Sequence, residues 1–181
     1  MQKICAYILY NILGWKVEGV IPFRTSRLML LFLPHTSNWD FVYGMLFIKT
    51  EKIKATLFGK DGFYFFPFNY AYKYFRVVPI KRNQKSNFVE QAVDLFNNDT
   101  SLWVGMAPEG TRSKTNHLKS GYYHIAKGAQ IPVVLVGLDF KLKTLVILPP
   151  RPVLETIEQD QNNLLEFSRS LTAKRPELAI K

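Results

Sequence analysis

The sequence predicts an α/β fold: one domain with a central mixed, mostly parallel sheet covered by helices on both faces, preceded by a short apolar helix. Three observations predict it. Several runs of four to seven residues are apolar at nearly every position, as strands buried on both faces must be. These runs alternate with segments of helical spacing, the pattern of a layered α/β sheet. No repeat, low-complexity tract or long Gly/Ser linker divides the 181 residues, and 48% hydrophobic with 21% charged residues suits one ordinary core.

Residues 1–15 form an N-terminal segment of their own. Ile4 to Trp15 is apolar for about a dozen residues, where a bilayer-spanning helix needs roughly 20. Lys3 in front of it resembles a signal peptide, yet Trp15-Lys16-Val17-Glu18 is not a cleavage site of small residues. Two readings stay open: a buried helix, or one lying in a membrane interface. Residues 16–181 make the main domain. There Leu28 to Pro34 is a continuous apolar strand, and Asn38 to Thr50 has helical spacing. Strands are predicted at Ala55 to Phe58, Arg76 to Ile80, Leu102 to Ala107, Pro132 to Leu138 and Thr144 to Leu148. Helices are predicted at Asn87 to Asn98, Ser120 to Ala129 and Ile157 to Leu171, the last apolar at 157, 164, 167 and 171. In such folds, sites gather at the carboxyl ends of strands.

The charge balance narrows the partners. Twenty-four Lys and Arg against 14 Asp and Glu give +10, which points to nucleic acid, an acidic membrane or a phosphorylated small molecule. The basic residues are scattered rather than striped, and no nucleic-acid-binding signature appears. The single cysteine, Cys5, excludes an intramolecular disulfide and a cysteine-based zinc cage. No GxSxG, GxGxxG or HExxH motif is present, and no metal site or cofactor is expected.

Chemistry-bearing residues do follow the strands. After Leu28 to Pro34 come His35 and, five positions on, Asp40. A carboxylate folded back onto the imidazole would accept the Nδ1 proton and leave Nε2 as a general base. Ser37-x-x-Asp40 also reads as a helix capping box, and the two roles can coexist. His117 and His124 have no Asp at that offset. After Leu102 to Ala107 comes Pro108-Glu109-Gly110-Thr111-Arg112-Ser113. Gly110 permits a tight turn, Arg112 offers a fork suited to phosphate, and Thr111 and Ser113 add hydroxyls. A P-loop is excluded, because Thr111-Arg112 stands where Lys-Ser/Thr is required. A third strand, Arg76 to Ile80, runs into Lys81 and Arg82. Between these, Phe63 to Phe75 carries nine aromatics in thirteen residues, which could line an apolar groove, meet a membrane or fill the core.

In this order the motifs resemble the PlsC-like glycerophosphate/lysophosphatidate acyltransferases. His35 and Asp40 match that family's His-x4-Asp, with Ser37 kept and Pro34 where Asn is usual. Pro108 to Ser113 matches Pro-Glu-Gly-Thr-Arg-Ser in full, and Lys119 to Gly121 fits the Lys-x-Gly that follows. Ile131-Pro132-Val133-Val134 fits the fourth motif. In the second motif Pro79, Ile80 and Arg82 match, while Arg76 and Val77 replace two glycines and Lys81 replaces Asp. The resemblance implies that 16–181 is an acyltransferase domain moving a fatty acyl group from acyl-CoA or acyl-carrier protein to a hydroxyl. The acceptor it implies is a lysophospholipid, most often 1-acyl-glycerol-3-phosphate giving phosphatidate. His35 would be the base and Asp40 its orienter, with Arg82, Glu109, Gly110, Thr111 and Arg112 binding the acceptor and its phosphate. It also implies a peripheral or monotopic enzyme at an anionic membrane surface on the cytoplasmic side. The altered second motif keeps other acceptors open, such as an amino-acid lipid or a pigment headgroup, as well as a thioesterase or a non-catalytic lipid-binding relative.

Overall fold

Residues 2–60, 70, 73–74, 76–80 and 85–180 are described by the computed structural model. In chain order the strands are β1 Lys16–Glu18, β2 Leu28–Phe32, β3 Ala55–Lys60, β4 Val77–Ile80, β5 Trp103–Met106, β6 Val133–Asp139 and β7 Thr144–Ile147. The helices are α1 Gln2–Ala6, α2 Asn38–Thr50, α3 Lys85–Asn98, α4 Gly121–Gly128 and α5 Ile157–Arg169. The strands form one seven-stranded sheet in the order β1-β7-β6-β2-β5-β3-β4. Among the described strands, only the β6–β7 pair is antiparallel. The expected mixed, mostly parallel sheet is therefore present.

The pleat divides the core in two. Met29, Leu31 and Leu33 join Phe96, Tyr122, Ile125 and Leu164 from α3, α4 and α5 on one face. Leu28 and Leu30 point the other way, to Leu9, Phe47 and Ile48. Successive side chains of a strand alternate faces, so a run apolar at every position needs cover on both sides. Burial of each such large side chain contributes about 1.5–3 kcal/mol.

α1 continues as a π-helical turn over Tyr7–Ile12, and the segment is buried on one side and exposed on the other. Leu9 is 2% exposed, while Ile4, Tyr7 and Ile12 are 61–64% exposed. Tyr10 Oη donates to Glu51 Oε1 at 2.6 Å and Gln2 Nε2 to the Thr50 carbonyl at 3.0 Å, tying the helix to the end of α2. Trp15 packs on the rings of Tyr43 and Phe140, with centroids 4.5 and 5.2 Å away.

Two elements were not foreseen. β1 is only three residues long and pairs in parallel with β7, Lys16 beside Thr144. Gly19 then turns the chain at φ +99°, where a Cβ would overlap the Ile147 carbonyl. The other is a 3₁₀ turn at Pro176–Leu178. The aromatic block Phe63 to Phe75 lies outside the described residues except for Tyr70, Lys73 and Tyr74, which are exposed.

Candidate active site

β2 ends at Phe32, and three residues on stands His35, at the carboxyl edge of the sheet. The turn that follows is built by the start of α2. Ser37 is its N-cap, with Oγ accepting from Trp39 N at 3.2 Å. Asp40, at the third helical position, turns its carboxylate back over the turn. Its Oδ2 accepts from Thr36 N and Ser37 N, both at 2.8 Å. The same oxygen lies 3.3 Å from His35 Nδ1. Capping box and histidine–carboxylate pair thus occupy one turn. Asp40 is only 8% exposed, and its Oδ1 is buried without a partner among the described residues. A carboxylate there favours a proton on Nδ1, which makes Nε2 the basic nitrogen.

Glu109, for which the resemblance implies a place on the acceptor, is 2% exposed, and its Oε1 accepts from the His35 backbone N–H at 3.0 Å. Burial pushes its carboxyl above the usual range, opposed by the His35 hydrogen bond. Glu109 therefore fixes the backbone of the histidine turn. The residues that follow it lie nearer the surface. Gly110 has φ +66°, and a Cβ there would meet Lys119 Cε and Nζ at 2.7 Å, so the lysine lies across the glycine. Thr111 Oγ1 accepts from Ser113 N at 3.1 Å, and Arg112 is exposed. Arg82 and Lys81 lie outside the described residues.

His35 and Asp40 open onto a cavity of about 510 Å³, whose lining also includes Arg112. Its walls are otherwise largely apolar: Phe41, Met45 and Ile48 from α2, Leu57 and Phe58 from β3, Val77 from β4. Two glycines shape it. Gly105 lies where a Cβ would come within 2.9 Å of Phe32 and Leu57, whereas Gly44 is buried yet has no atom within 4 Å of such a Cβ. No sequence pattern pointed to these lining residues. A base beside a largely apolar cavity, with a cation in its lining, suits a substrate with a long apolar tail and an anionic head.

The family model for acyltransferases matches residues 15–139. The chain belongs to the acyltransferase family. This acyltransferase is also similar in structure to the 1-acyl-sn-glycerophosphate acyltransferase PlsC from Thermotoga maritima. The TM-score is 0.59 at 18% sequence identity, covering 93% of this chain and 80% of that one. No curated protein matches it. At that identity the likeness is one of fold, while the family match sets the class of chemistry as acyl transfer. Among the described residues of the acyltransferase, no helix is long and apolar enough to cross a membrane.

Proposed function

We propose that this acyltransferase moves a fatty acyl group from a thioester donor, acyl-CoA or acyl-carrier protein, to the hydroxyl of a lysophospholipid. The acceptor we favour is 1-acyl-glycerol-3-phosphate. The observation that carries the reading is the His35–Asp40 pair at the mouth of the apolar cavity. His35 Nε2 takes the proton of the acceptor hydroxyl as its oxygen attacks the thioester carbonyl. The carbon–sulfur bond then breaks, and the imidazolium returns its proton to the departing thiolate. Transfer is direct, and no acyl-enzyme is needed. Asp40 holds the imidazole and offsets its transient charge. The acyl chain lies in the cavity, and Arg112, with Arg82 from the second motif, meets the acceptor's phosphate. Glu109 serves by holding the His35 turn rather than by touching the acceptor.

Exposed Ile4, Tyr7 and Ile12 on the N-terminal helix, and Trp39, Phe41 and Val42 on α2, support a monotopic seat on a membrane surface, and the thioester donor would put that surface on the cytoplasmic side. Each well-placed Lys or Arg of the +10 chain would add about 1 kcal/mol there. A second reading keeps the reaction and changes the acceptor, because Arg76, Val77 and Lys81 depart from the family's second motif. The test is thiol release from palmitoyl-CoA in anionic-lipid micelles, with and without lysophosphatidate, by wild type and His35→Ala. Release that needs the acceptor and disappears in the variant supports the reading. Release without acceptor would make the protein a thioesterase.

A further inference from the structure

Beyond α5 the chain turns back over the carboxyl edge of the sheet, in a region past residue 139, where the family match ends. Residues 170–180 form a strap seated by several contacts. The Thr172 carbonyl accepts from Phe140 N at 2.9 Å, just beyond β6. Lys174 Nζ sits 5.4 Å above the Phe140 ring. Ala173 and Ile180 are each 5% exposed, and Pro176–Leu178 closes a 3₁₀ turn. β6 makes room for the strap at Gly137, where a Cβ would overlap Leu171 Cδ1 and come within 2.8 Å of the Leu33 carbonyl. The strap therefore enters level with Leu33, two residues before His35.

It then touches the histidine turn itself. Arg175 N donates to Thr36 Oγ1 at 3.2 Å, across 139 positions of chain. Thr36 is 2% exposed and faces two ways. Its hydroxyl is held by the strap, while its amide donates to Asp40 Oδ2 at 2.8 Å. On the other side of the turn, Glu109 holds the His35 amide. We infer that Thr36 is a positioning residue: the strap, through Arg175 N, fixes Thr36 and thereby the alignment of Asp40 with His35. A base of this kind works only when held within about half an ångström of its productive place.

The inference rests on the acyltransferase reading for its kinetic arm alone. Thr36→Val removes the acceptor and keeps the branched shape, and Thr36→Ser restores the acceptor. Should the valine variant fail to fold, Thr36→Ala removes the same group with less crowding. Wild type and variants are compared by steady-state kinetics and by the ¹⁵N spectrum of the His35 imidazole, assigned with His35→Ala. Loss of the hydroxyl should lower kcat about tenfold, with KM for donor and acceptor changed by less than about twofold. The Nδ1–H tautomer of His35 should lose population in the same variant, and Thr36→Ser should recover both signals. An unchanged imidazole spectrum, or a kcat loss that serine does not restore, overturns the inference. Absence of acyl transfer in wild type would sink the functional reading only, and the imidazole spectra would still decide the role of Thr36.

Discussion

Gly44 sets a length for whatever lies in the cavity. It sits in the middle of α2, buried, and a Cβ built on it would find no atom within 4 Å. A buried position facing empty space must face the cavity, and Gly44 is one of its walls. Gly44→Leu would therefore enter the cavity without displacing backbone, and leucine is a better helix former than glycine by somewhat under 1 kcal/mol. Four new carbons would displace about three methylenes of a long acyl chain. At about 0.8 kcal/mol for each methylene kept out of its apolar site, the loss is about 2.5 kcal/mol. At 1.4 kcal/mol per factor of ten, that is about sixtyfold in kcat/KM for a long-chain thioester. The assay compares octanoyl and palmitoyl thioesters with purified wild type and Gly44→Leu. Palmitoyl turnover should collapse relative to octanoyl, with no loss of thermal stability. Equal losses for both donors would refute the placement of the acyl chain in this cavity.

Three further outcomes follow from the geometry. Arg112→Gln should raise KM for a phosphate-bearing acceptor about tenfold and leave a phosphate-free lipid alcohol unaffected, as a lost charge-assisted hydrogen bond requires. Burial raises the folded pKa of Glu109 above that of a free glutamate, so the folded state holds its proton more tightly than the unfolded chain. Stability from this group is intact below the unfolded pKa and is lost as pH rises through the raised folded one. Melting curves of Glu109→Gln should lack that part of the decline, and a parallel decline in the variant would refute it. Gly19→Ala should cost about 2 kcal/mol or more in denaturant unfolding, because φ is positive and the new Cβ would overlap Ile147.

The parallel core was legible because its strands are apolar on both faces. Leu28–Phe32 and Val133–Asp139 leave no solvent side, and burial of all seven residues of β6 follows. β1 escaped notice for the opposite reason. Lys-Val-Glu is too short and too polar for a pattern, and it becomes a strand only because β7 lies beside it. At the site, the spacing of His35 and Asp40 was readable because one turn of chain brings them together. The inward turn of Glu109 was not, since a glutamate before a glycine reads the same whether it faces solvent or the core. Nor was Thr36, whose partner is 139 positions away, a distance over which local pattern carries no signal. The N-terminal segment was ambiguous in sequence because its residues divide between two environments, Leu9 inside and Ile4, Tyr7 and Ile12 outside.

The pairing of β1 with β7 bears on what could be excised. The stretch that carries the family's signature, residues 15–139, contains β1 but stops before β7, the neighbour to which it is hydrogen-bonded. Cut out at those limits, it would leave β1 detached and the outer edge of β6 bare, an open template for another chain. A ribosome meets the same arrangement in time. Lys16 emerges well before Thr144, so β1 is paired only once β7 has been made.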